Sequence, residues 1–173
     1  PVLGETAEAF FDRPYIDAPV RPNKRGGAFC AYTVPSQHPY VLLNYTARRR
    51  DVLTLAHELG HCLHASLARQ RGVLEQHTPL TLAETASVFG ETIVFRRLLD
   101  AAETPASQLS LLAENLEGSI ATVFRQTAMN QFEDRVHTAR RTKGELSVEQ
   151  IGDHWASGTA RWCGSPPLPS AWR

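Results

Sequence analysis

"TLAHELGHCLH", Thr54 to His64, sets three histidines and a glutamate into a run that otherwise reads as a buried helix. Buried imidazoles and carboxylates are costly unless something satisfies them. Around them Val52, Leu55, Leu59, Cys62, Leu63 and Leu67 recur at three- and four-residue spacing. The pattern predicts a helix from Thr46 to Arg71, stopped by Gly72. On it His57 and His61 share one face, about 6 Å apart along the axis, so their nitrogens can converge on one ion. Zinc takes neutral imidazole at about 2.0–2.1 Å, and its catalytic sites keep one position open for water. Glu58 follows the first ligand directly and can reach that position, taking a proton from zinc-bound water as general base. This HExxH pattern points to one zinc ion, with His57 and His61 as ligands and Glu58 as the catalytic residue.

The third ligand has to come from elsewhere. His64 is separated from His57 by roughly 10 Å of helical rise, too far to share an ion at zinc distances. The metzincin pattern needs a glycine three residues and a histidine six residues after the second ligand. His64 and Leu67 stand there, which excludes that class. The next helix is expected to take Thr78 as N-cap and Pro79 as its first residue, and to run to about Ala101. Its stretch "PLTLAETASVFGETIVF" is apolar except for Glu84, Ser87 and Glu91, which fall on one face. A glutamate in such surroundings needs a cation or a strong donor. Glu84 is therefore the expected third ligand, with Glu75 in the preceding connection as its weaker competitor. Glu91 reads either as an acceptor that orients a ligand histidine or as an ordinary surface charge.

Outward from these helices, residues 1–12 read as the tail of a helix and Arg13 to Arg25, with three prolines, as a loop. "GGAFCAYTV" and "PYVLLNY" suggest an antiparallel pair with no third strand in view, which must pack on helices to be stable. Thr104-Pro105 opens a long helix whose buried stripe is expected at Leu109, Leu112, Leu116, Ile120, Val123 and Thr127. Ser147 and Gln150 make a capping box before a last short helix. Residues 1–158 thus read as a mainly α core with a small antiparallel β pair beside the metal helix. Residues 159–173, ending "GSPPLPSAWR", read as an irregular proline-rich tail.

The 173 residues suit one domain, and Lys+Arg balances Asp+Glu at 18 each. A balanced chain lacks the basic footprint of a nucleic-acid or anionic-membrane binder. No apolar run approaches a membrane span. Cys30, Cys62 and Cys163 form no CxxC pair, which favours a reducing, cytoplasmic setting. Pro1 in place of an initiator methionine suits a piece of a longer protein.

"NKRGGAFC", "HPYVLLNY", "DVLTLAHELGH", "LAETASVFGE" and, more loosely, "RQTAMNQFE" together resemble the oligoendopeptidase F branch of the thimet-oligopeptidase-like zinc peptidases. The resemblance covers most of Phe10 to about Trp155. It implies a helical zincin-type catalytic core and a zinc metalloendopeptidase acting on short peptides. It also implies His57, His61 and Glu84 as zinc ligands, Glu58 as the catalytic glutamate, and strands at "GGAFC" and "YVLLNY" flanking the substrate cleft. Individual substrate-binding residues stay unassigned. Members of that family are longer and carry a downstream histidine- and tyrosine-containing segment that assists the transition state. The alternative reading is therefore a zinc-binding but catalytically incomplete fragment, acting as a structural or interaction module. Such a fragment would self-associate or need a missing domain as partner. A peptide deformylase would need a cysteine ligand in a motif such as EGCLS, and none of the three cysteines sits in one.

Overall fold

The computed structural model describes residues 2–163, which form two compact units that divide between Ala101 and Ala102. In the first, α1 (Val2–Asp12) is followed by strands β1 (Ile16–Pro19), β2 (Phe29–Ala31) and β3 (Tyr40–Tyr45). Helices α2 (Arg49–Ala68) and α3 (Leu80–Asp100) complete it. The second unit holds α4 (Pro105–Ile120), a π-helical turn at Ala121–Arg125, α5 (Gln126–Lys143) and α6 (Val148–Cys163). The chain is mainly α with a small sheet beside the HExxH helix, as expected.

β2 and β3 form the expected antiparallel pair, with Cys30 opposite Val41. A third strand joins them: β1 runs parallel to β3 and pairs Ile16 with Val41, in sheet order β1-β3-β2. It lies in the segment that reads as a loop. As an edge strand β1 tolerates Pro19 at its end, because the outward side of an edge has no ladder bond to lose. The connection to β2 is pinned from inside. The Lys24 side chain is buried, and its Nζ donates to the carbonyls of Asp17 (2.8 Å), Pro19 (2.9 Å) and Leu43. Asn44 Nδ2 donates to the carbonyls of Arg25 and Gly27, both at 2.9 Å. Central strand β3 turns Val41 and Leu43 into a core with Phe10 of α1 and Cys62 of α2.

Helix boundaries follow local chemistry. The Asp51 carboxylate accepts from the Thr46 N–H and hydroxyl and from the Arg48 N–H, which secures the start of α2. A short 3-10 turn then ends at Gly72, whose φ of 86° suits glycine. α3 starts one residue later than expected, at Leu80 with Pro79 as its N-cap. Thr78 makes no cap bond; its Oγ1 is buried without a partner among the described residues. Thr104 does cap α4, accepting from the Ser107 N–H, and Ser147 and Gln150 exchange the two bonds of a capping box.

The stripe expected to be buried on α4 is not. Leu109 is 68% and Leu116 61% exposed, Leu112, Ile120 and Val123 are also exposed, and Leu111 is the buried residue of this helix. Periodicity marks an apolar face but does not supply its cover. α5 and α6 do pack, with Phe132 edge-on to Trp155 at 5.3 Å and Arg135 donating to the Ser157 hydroxyl. α6 continues to Cys163; the rest of the expected proline-rich tail lies outside the described residues.

Candidate metal centre

Helices α2 and α3 cross with their backbones in contact. A Cβ on Gly60 would stand 2.4 Å from the Ala86 carbonyl oxygen and 2.7 Å from Ser87 Cα. One on Gly90 would stand 2.7 Å from the Ala56 carbonyl oxygen. Only glycine fits such a crossing, and the approach brings the Glu84 carboxylate of α3 onto the histidines of α2. Its Oε2 lies 3.3 Å from His57 Nε2 and 3.7 Å from His61 Nε2. One donor atom from each of His57, His61 and Glu84 lies within 4.8 Å of the other two.

The supports of this group come from the same crossing. Ser87, fully buried, donates to Glu84 Oε2 at 2.8 Å and to the Glu84 carbonyl at 3.0 Å. Glu91 Oε2 sits 3.2 Å from His57 Nδ1, so the ring presents Nε2 to Glu84. The two imidazoles stand edge to face with centroids 5.0 Å apart.

The electrostatics differ residue by residue. The Glu91 hydrogen bond raises the His57 pKa, and the charges of Glu58 and Glu84 act with it against burial. Burial lowers that of His61. The Ala83 backbone faces the His61 ring without satisfying Nδ1, which is buried with no hydrogen-bond partner among the described residues. Glu58 is buried, and desolvation raises its carboxyl pKa, reinforced by the Glu84 charge; His57 and the Cys30 N–H pull the other way. The result is a carboxylate more basic than an exposed one, which suits a proton acceptor.

Two imidazole nitrogens and one carboxylate oxygen converging from two helices are the donor chemistry of a catalytic zinc centre, and a carboxylate behind a ligand histidine completes the pattern. The residues fit that ion. Glu58, with His57, His61 and Glu84, lines a cleft bounded on one side by Ala28, Phe29, Cys30 and Tyr32. Thr78, Leu80 and Ala83 bound the other side.

The structure thus brings together His57, Glu58, His61, Glu84 and Glu91. His64 stands outside the converging donors, with a buried Nδ1 that has no hydrogen-bond partner among the described residues, and Glu75 is exposed in the connection before α3. Sequence reasoning missed Gly60 and Gly90, although a mid-helix glycine costs about 1 kcal/mol against alanine and so asks for a packing reason. It did not single out Tyr32, which lines the cleft and stacks on His77 at 5.6 Å, although it lies just past the "GGAFC" strand expected beside the cleft.

Residues 2–170 match the profile of peptidase family M3. Group B oligopeptidase PepB of Streptococcus agalactiae is 29% identical over 164 residues, covering 94% of this chain and 27% of that protein. The chromosomal oligoendopeptidase F of Lactococcus lactis subsp. cremoris is 31% identical over 148 residues, 85% of this chain and 24% of the relative. A solved structure of PZ peptidase A with an inhibitor superposes with a TM-score of 0.81. It covers 98% of this chain and 29% of its own at 16% identity, a likeness of fold alone. The chain belongs to peptidase family M3, on its oligoendopeptidase F branch. It spans about a quarter of the length of the curated relatives it matches. No helix among the described residues is long and apolar enough to cross a membrane.

Proposed function

We propose that this chain carries the metal centre of a zinc-dependent endopeptidase that hydrolyses short peptides in the cytoplasm. The observation that carries the reading is the His57–His61–Glu84 convergence beside a buried glutamate, in a chain of a peptidase family. Bound there, zinc would supply a Lewis acid for the scissile carbonyl and acidify a water at its open position. The chain's own residues supply the rest. Glu91 holds His57 in the ligating orientation, and Ser87 holds Glu84. Glu58 accepts the proton of the attacking water and returns it to the departing amine. β2 is the sheet edge beside the cleft, so an extended peptide can pair with its backbone.

The deciding experiment is Glu58→Gln. The amide keeps shape and loses the base, so zinc content should stay stoichiometric while turnover of a quenched-fluorescent peptide falls by about 10²–10⁴. Loss of zinc in that variant would make Glu58 a ligand and overturn the assignment. The alternative is a zinc-holding but catalytically incomplete module. It predicts a wild-type chain that binds zinc and cleaves nothing.

A further inference from the structure

Two thiols meet where the sheet packs on the metal helix. Cys30 on β2 and Cys62 on α2 are both free, with their Sγ atoms 3.2 Å apart. A disulfide bond is about 2.0 Å long, so closure needs a movement of roughly 1 Å. The two sulfurs differ in access. Cys62 is fully buried among Phe10, Val41 and Leu43. Cys30 is half-buried and opens on the cleft lined by His57, Glu58 and His61. An accessible thiol in contact with a sealed one has the arrangement of an oxidisable cysteine and its resolving partner.

We propose that Cys30 and Cys62 form a peroxide-responsive thiol pair, an oxidative modification site that ties the cleft-edge strand β2 to the metal-bearing helix α2. With hydrogen peroxide, the Cys30 sulfur attacks one oxygen and the O–O bond breaks, leaving Cys30 sulfenic acid and one water. The Cys62 sulfur then attacks the sulfenic sulfur; the S–S bond forms as the S–O bond breaks. The Cys62 proton leaves with the hydroxyl as a second water. Two thiols give up two electrons and the peroxide takes both. A reducing dithiol reverses the step by exchange. Because the Cys30 backbone faces the Glu58 carboxylate, the linkage acts on the wall of the cleft itself.

The test uses the full chain carrying Cys163→Ser, so that the third thiol takes no part. After stoichiometric hydrogen peroxide, alkylation and digestion, mass spectrometry should find a Cys30–Cys62 linked peptide two hydrogens lighter than its reduced halves. A non-reducing denaturing gel should show no disulfide-linked dimer, and dithiothreitol should undo the link. In Cys62→Ala, Cys30 should stop at the sulfenic acid and be trapped by dimedone. The proposal is overturned if both cysteines stay open to alkylation, if Cys30 passes to sulfinic acid with Cys62 intact, or if cross-linked dimers dominate. None of these readouts involves zinc or turnover, so the pair and the peptidase reading stand or fall separately.

Discussion

The carboxylates of Glu84 and Glu91 stand against opposite nitrogens of one ring, His57, and their removal should be felt differently. Glu91→Ala frees Nδ1 and loosens the ring, which should weaken zinc binding about 10–100-fold in chelator competition. Glu84→Ala removes a proposed donor and should cost more, whereas His64→Ala should leave affinity nearly unchanged. A larger loss at His64 would reassign the third ligand. Glu84 was legible as a polar break in an apolar helix, and the family motif around it strengthened the reading. Lys24 was not, because "RPNKRGG" has the composition of a solvated loop and only the folded chain supplies the carbonyls that bury its ammonium. Its neighbour Asp17 carries a pH signature. The hydrogen bond from Arg21, with Lys24 in support, holds the Asp17 carboxyl at about 2, below the unfolded value of about 3.9. Stability from this group is present above the unfolded value and lost as pH falls through about 2. Asp17→Asn should therefore lower the melting temperature at pH 7, with the gap to wild type closing near pH 2. A gap that persists there would show that the carboxylate charge is not what matters.

At the scale of elements, the α2–α3 crossing governs the site. Gly60→Ala drives a methyl into the Ala86 carbonyl and should destabilise by about 1–3 kcal/mol, with weaker zinc binding as Glu84 is displaced. Gly118→Ala is its control: it lies in α4 with nothing within 4 Å of the added Cβ, so it should be stabilising by about 0.4–1 kcal/mol. Thermal melts of both, beside zinc titrations, check the pair; equal effects would mean the crossing is softer than its distances. The helices themselves were legible because their caps and stops are local chemistry. The parallel strand β1 was not, since its pairing with β3 is a tertiary contact and its flanking prolines resemble those of a loop.

For the whole molecule, the row Leu109, Leu112, Leu116, Ile120 and Val123 is the most consequential surface feature. An apolar row of this kind on a free chain favours association. Sedimentation should show concentration-dependent self-association, and Leu112→Glu with Leu116→Glu should reduce it while zinc stoichiometry holds. A strictly monomeric wild type would remove the argument. Here the sequence reading identified the right face and the wrong environment: a 3.6-residue period reports that a face is apolar, not whether anything covers it.

All the proposed metal donors and their supports fall on two consecutive helices, and His57 and Glu91 are only 34 residues apart in sequence. That closeness has a consequence during biosynthesis. At about 5–20 residues per second, a ribosome adds the stretch from His57 to Glu91 in roughly 2–7 s. The α2–α3 hairpin can then emerge and capture its ion before the rest of the chain is made. Metal loading would thereby become an early event of folding rather than its last.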